Sequence, residues 1–208
     1  IALAVISILY GSFVAASADS LRRFAAYSSV AQMGFVTLGV MTGSFTATTG
    51  AVLLMINHGL ITVGIFLTAG AMEERVGLIS LAKLRGLQKP APVFAATFTV
   101  LMLATMGLPG LNGFVSEFMI LLGSFMTQST WALVATLGVV GSAVYWLWAY
   151  QRLFHGEYVP TTHMNDATTK ERLVLAPIII GIVVLGVYPS PILRHIAPSV
   201  HVTLACGT

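Results

Sequence analysis

Residues 107–118 read Gly107-Leu108-Pro109-Gly110-Leu111-Asn112-Gly113-Phe114-Val115-Ser116-Glu117-Phe118. This cluster of helix breakers interrupts an apolar run from 92 to 126. A straight helix over that run would be about 52 Å long at 1.5 Å per residue, against about 30 Å of hydrocarbon in a bilayer. Two readings follow: two short spans joined by a tight turn, or one crossing whose helix is broken at 109–113.

That the surroundings are a membrane follows from composition. The chain is 57% hydrophobic and 8% charged, with a mean hydropathy of +0.91, whereas soluble domains carry about 25% charged residues. So few charges cannot cover a surface against water. Six apolar segments stand out, at 1–17, 24–43, 50–72, 92–126, 131–150 and 173–188. The sequence therefore predicts an all-α polytopic membrane domain over 1–193, followed by a tail at 194–208. The opening, Ile1 to Tyr10, has neither an initiator Met nor a basic n-region. It reads as a span already in progress, which predicts a piece of a longer protein.

Charge placement chooses between the two readings. Arg22 and Arg23 form one basic loop, Arg75, Lys83, Arg85 and Lys89 a second, and Arg152, Lys170 and Arg172 a third. The loops between them, 41–50 and 127–130, are uncharged. If 92–126 crosses once, nine of the ten basic residues share one face and only Arg194 lies elsewhere. The positive-inside rule favours that arrangement and puts the basic loops in the cytoplasm of a multi-pass cell (inner) membrane protein. Unwound backbone at such depth is tolerated where it is buried in protein or lines a hydrated cavity. The same topology explains the net charge of +3 without nucleic acid as a partner.

Smaller features fit the picture. Tyr145, Trp146, Trp148 and Tyr150 at one end of the 131–150 span, and Trp131 at the other, are expected as interfacial anchors. Gly39 with Gly43, and Gly64 with Thr68, have the spacing of close helix packing. Glu73, Glu74 and Arg75 read as a solvated helix end, and Arg22 and Arg23 as residues at the membrane edge. The single cysteine, Cys206, excludes an internal disulfide, and His155 and His163 are too isolated for a metal site. No Gly-rich phosphate loop or nucleophile elbow occurs, so no cofactor or metal is expected in this chain.

Two ionisable residues lie deep in apolar sequence: Glu117, about one turn beyond the break, and His58, inside the 50–72 span. Such groups are costly in a bilayer unless paired or hydrated, and they usually mark ion or proton pathways. Burial disfavours the Glu117 carboxylate, whereas the positive end of the second half-helix favours it. An imidazole titrates near neutral pH and suits a bridging step. Glu117 and His58 linked by water are thus the candidate proton relay. The plainer alternatives are an interhelical hydrogen bond for Glu117 and a hydrogen bond to a backbone carbonyl for His58.

Four stretches carry a family likeness: Leu21-Arg-Arg-Phe-Ala-Ala-Tyr-Ser-Ser-Val-Ala-Gln-Met-Gly34, Ile56-Asn-His-Gly-Leu60, Glu73-Glu-Arg75 and Gly107–Phe118. In this order they resemble the M-type (chain 4) antiporter-like subunits of respiratory complex I, the proton-pumping NADH:quinone oxidoreductase. The likeness runs from about residue 18 to 190. It implies the second of two inverted repeats of an antiporter-like fold, with one broken helix. Glu117 falls on the family's broken-helix glutamate and His58 on a histidine of its central hydrophilic axis. The lysine found there in L-type relatives is absent. The resemblance further implies partnership with the other membrane and peripheral subunits of complex I, with the lipid bilayer, and with protons and water. Redox chemistry at the quinone would then lie in partner chains. Two departures stand out. Arg22-Arg23 replaces Lys-Arg, and Gln32 stands where a histidine is common, which removes a possible relay. A cation/proton (Na⁺/H⁺) antiporter subunit of the related multisubunit family, or a membrane scaffold without transport, are the competing readings.

Overall fold

The computed structural model describes residues 1–81, 84–157 and 164–206; Lys83 and His163 lie outside them. In chain order its helices are α1 (Ala2–Ala16), α2 (Leu21–Met41), α3 (Phe45–Val76), α4 (Pro92–Thr105), α5 (Asn112–Thr127), α6 (Ser129–Phe154), α7 (Thr169–Val187) and α8 (Ser190–Cys206). Among the described residues there is no strand, and a single bridge pairs Ser20 with Ser80. Three starts carry side-chain caps. Ser20, Ser44 and Thr168 each accept a hydrogen bond from the backbone N–H three residues on, and Glu171 completes a capping box with Thr168.

α2, α3 and α6 are long and apolar enough to cross a bilayer, α1 and α4 are shorter apolar helices, and α7 and α8 form a pair bent by 69°. The outer faces are apolar, with Leu3, Phe13, Met126 and Leu173 more than two-thirds exposed. Monomeric soluble proteins do not present such surfaces so broadly; lipid or neighbouring protein must cover them.

The organising element is α3, a continuous helix of 32 residues, about 48 Å long. Following it from its start, Ala47 meets Gly123, Asn57 bonds to Asn112 and Ser116, and Gly64 abuts Leu101. Farther on, the Arg75 guanidinium lies 5.2 Å over the Phe94 ring. The partner numbers fall steadily as α3 proceeds. So α5 and then α4 run antiparallel to α3, end to end along its length. The 92–126 segment is therefore two half-helices laid end to end along α3, and its break, expected at 109–113, is Met106–Leu111 and faces the middle of α3. α7 follows the same course, with Glu171 at Arg75, Ile178 at Gly64 and Gly181 at Leu60. The sequence reading leaves 194–208 as a tail. Instead Ser190–Cys206 is helical, and Ile196 and Val200 of α8 pack on Leu53 near the start of α3. The apolar positions of α8 find a ready apolar face on α3, and that stabilises a helix the mixed composition does not announce.

Several expectations are corrected. Tyr145 and Trp146 are core residues, 3% and 0% exposed, because Ser28 of α2 receives the Trp146 Nε1–H at 3.0 Å and pairs with the Tyr145 hydroxyl at 3.2 Å. Gly39 does lie against Ala47 and Ala51, but Gly43 is beyond the end of α2 with φ +65°, so it terminates the helix rather than packing it. The end of α3 is not a solvated tip. Glu73 is 9% exposed and paired with Arg22, and both terminal guanidinium nitrogens of Arg75, Nη1 and Nη2, donate to Glu171, at 2.9 and 2.8 Å. Asp166 accepts from the backbone N–H groups of Val93 and Phe94 and lies 3.6 Å from Arg172. The charged loops thus interlock at one end of the bundle, and the uncharged loops at Gly43 and Gln128 lie at the other.

Cysteines at Arg23, Glu74 and Lys170, in a background without Cys206, should label with an impermeant thiol reagent from one side of the membrane, and cysteines at Gly43 and Gln128 from the other. Labelling of positions 74 and 128 from the same side would contradict a single broken crossing.

Glu171 stands in the first turn of α7, outside the apolar run that begins at Leu173. The Arg75 hydrogen bonds, chiefly, hold its carboxyl down at about 2 from the ordinary 4.5. A depressed carboxylate stabilises the fold above its unfolded pKa and loses that contribution on acidification. The thermal-stability difference between the wild type and Glu171→Gln should therefore close as pH falls from 4.5 toward about 2. A difference that is constant across that range would exclude the pairing as its source.

Candidate functional site: the helix break around Glu117

The end of α4 is fixed locally. Leu108 N–H bonds to Leu103 O at 3.0 Å and Gly107 N–H to Ala104 O at 3.2 Å, with Gly107 at φ +71°. This is a Schellman termination, which requires a left-handed residue at that position. Pro109 follows. In a continuing helix the Thr105 carbonyl would accept from residue 109, but proline has no N–H. The break thus leaves a free carbonyl at the centre of the bundle, where water cannot be relied on to satisfy it.

Gln32 supplies the donor. Its Nε2 lies 3.2 Å from Thr105 O and 2.9 Å from Glu117 Oε1, so one amide group bridges the end of α4 and the carboxyl on α5. Gln32 and Glu117 are 2% and 5% exposed. Gly107 completes the site: a Cβ there would stand 2.6 Å from Glu117 Oε2. The carboxyl therefore points back from the first turns of α5 toward the break, the usual direction for a long helical side chain.

A second polar group holds the start of α5, which has no side-chain cap. Asn57 Nδ2 donates to Asn112 O at 2.7 Å and to Ser116 Oγ at 3.4 Å, and Asn112 Nδ2 donates back to Asn57 O at 3.4 Å. The oxygens Gln32 Oε1, Asn57 Oδ1 and Asn112 Oδ1 are buried without partners among the described residues. Buried acceptors of this kind are where ordered water binds.

His58 lies elsewhere on α3. It is half-buried, and its Nε2 is 3.1 Å from Thr62 Oγ1, one turn along the same helix. Its neighbour Asn57 faces the break, so His58, about 100° further round the helix, does not. The two residues singled out in the sequence are thus not hydrogen-bonded to each other. The groups that do surround Glu117, namely Gln32, Thr105 and Gly107, with Asn57, Asn112 and Ser116 beside them, are neutral. Their signal was present as polar residues at helical spacing inside apolar spans, Ser28 with Gln32 and Asn112 with Ser116.

A membrane-domain family described as NADH:quinone oxidoreductase/Mrp antiporter matches residues 1–144. The chain belongs to this family. Among its antiporter-like relatives, NADH-quinone oxidoreductase subunit M of Mycobacterium tuberculosis is 41% identical over 205 residues, which is 98% of this chain and 37% of that protein. The fold matches a chain of respiratory complex I from Thermus thermophilus with bound NADH at a TM-score of 0.91 and 34% identity, over 98% of this chain and 43% of that one. It also matches the Mrp complex from Dietzia sp. at a TM-score of 0.87. There the identity is 19%, over 95% of this chain and 45% of that one, so this likeness shows shared fold alone. The chain spans about two fifths of the length of these antiporter-like proteins, and both solved structures are multisubunit assemblies.

Proposed function

We propose that this chain forms a proton half-channel of an M-type, proton-translocating membrane subunit of NADH:quinone oxidoreductase, with Glu117 as the group that takes up and releases the proton. The observation that carries this is a nearly inaccessible carboxylic acid held at a break in a crossing helix, in a chain of the antiporter-like family. In a bilayer such a group is retained for transport rather than for stability.

In this reading a proton reaches the site from the central axis near His58, along water held by the unpaired oxygens of Asn57 and Asn112. It is released on the far side through the opening at the break. The chain supplies the relay, and quinone reduction and its cofactors reside in partner subunits. The basic end faces the cytoplasm. Leu108, Pro109 and Gly110 are exposed on this chain taken alone. Unwound backbone in the hydrocarbon region must be covered by protein or line water, which supports placement within a larger assembly.

The second reading is a subunit of an Mrp-type cation/proton antiporter. The family description names both classes. Neighbouring genes separate the two: quinone oxidoreductase subunits in one case, antiporter subunits in the other.

Glu117→Gln in the full-length subunit keeps size and hydrogen bonding but cannot ionise. The complex should assemble, and coupled transport in proteoliposomes should fall by about tenfold or more, a conservative bound on the roughly hundredfold contribution of a positioned proton-transfer group. Glu117→Asp should retain part of the activity. Wild-type pumping by the Gln variant would reduce the carboxyl to an interhelical hydrogen bond.

His58→Leu should lower pumping more than assembly, because the helix is preserved while a titratable group is lost. Normal pumping by that variant would assign His58 to packing with Thr62.

A further inference from the structure

The Gln32 amide has two faces, and its surroundings fix which one Glu117 meets. Its Nε2 lies between two acceptors, Thr105 O at 3.2 Å and Glu117 Oε1 at 2.9 Å, and its Oε1 meets no donor among the described residues. Turning the amide over would bring Oε1 against the Thr105 carbonyl, two acceptors facing each other in a buried site. The Thr105 carbonyl, left free where α4 ends at Gly107, therefore locks the amide with its donors toward the carboxyl.

We propose that Gln32 is a positioning residue for Glu117, a non-titrating donor whose orientation is set by the carbonyl that the helix break leaves free. Displacement of the end of α4 is then transmitted to the carboxyl through a single side chain. If Thr105 O withdraws, the amide is released and the hydrogen bond to Glu117 loses its fixed direction. An imidazole in the same place would bring its own proton into the exchange; an amide cannot. In this chain the relay group is governed by the geometry of the break rather than by a second titrating side chain. The groups against the Glu117 carboxyl, Gln32 on α2 and Gly107 at the break, are neutral, as is Thr105, whose carbonyl shares the Gln32 amide.

This inference rests on the relay reading for its importance but not for its test. The complex containing the full-length subunit would be compared by infrared difference spectroscopy as wild type, Gln32→Met and Gln32→Asn. The C=O stretch of protonated Glu117 is identified as the band lost in Glu117→Gln. Met is close to isosteric and has no donor, and Asn keeps an amide too short to span Thr105 and Glu117. Both should move the band to higher frequency and reduce coupled transport by about tenfold, the worth of one buried hydrogen bond. Asn also serves if the Met variant does not assemble. A band at the wild-type position in the variants that assemble would overturn the assignment and leave Gln32 as a brace between α2 and α4. A shifted band, together with unimpaired transport by Glu117→Gln, would instead sink the relay while leaving the positioning role intact.

Discussion

The arrangement at the centre of this protein follows from one free carbonyl. α4 ends in the left-handed Gly107, and Pro109 beyond it has no N–H to offer, so the Thr105 carbonyl has no helical partner. In water such a carbonyl is solvated at little cost, but in the interior of a membrane domain it must be met by protein. Gln32 meets it from α2, and that requirement brings an amide to within 2.9 Å of Glu117. The Schellman termination at Gly107 matters for the same reason. It turns the chain out of α4 and leaves, beside a residue without a side chain, the space that the Glu117 carboxyl occupies.

A break of this kind needs a support that is itself continuous. α3 serves: its 32 residues run past both half-helices, and its middle carries Asn57, which holds the uncapped start of α5. The same helix receives α7 beside α4 and α8 beside α5. At the charged end, pairs between α2 and α3 and between α3 and α7 tie the elements together. The partly shielded Arg75–Glu171 pair is hydrogen-bonded through both terminal guanidinium nitrogens, a geometry that adds direction to the attraction.

Membrane residence, the helices and the break were legible because each depends on local facts. Apolar length fixes the spans, Pro and Gly fix the interruption, and the asymmetry of nine basic residues against one implies a single crossing. The depth of Glu117 was equally plain. Rotation about each helix axis was not. Whether Asn57 or His58 faces α5 depends on how α3 is turned against its neighbours, and adjacent residues differ by about 100°. The low amphipathicity of membrane helices, whose lipid-facing and buried sides are both apolar, removes the pattern that would have shown it. Glu73 and Trp146 were misread for a related reason. A residue near a span end is solvated or interfacial unless another helix covers it, and Arg22 and Ser28 are contributed by α2, a distant part of the chain.

The sequence by itself determined that this is a broken-helix membrane domain with one buried acid at the break, because periodicity, breakers and charge are properties of neighbouring residues. Only the tertiary structure decided what that acid touches. The Thr105 carbonyl is freed where α4 ends at Gly107, but the amide that answers it is 73 residues away, and no local rule selects which of the polar residues in the spans will arrive there.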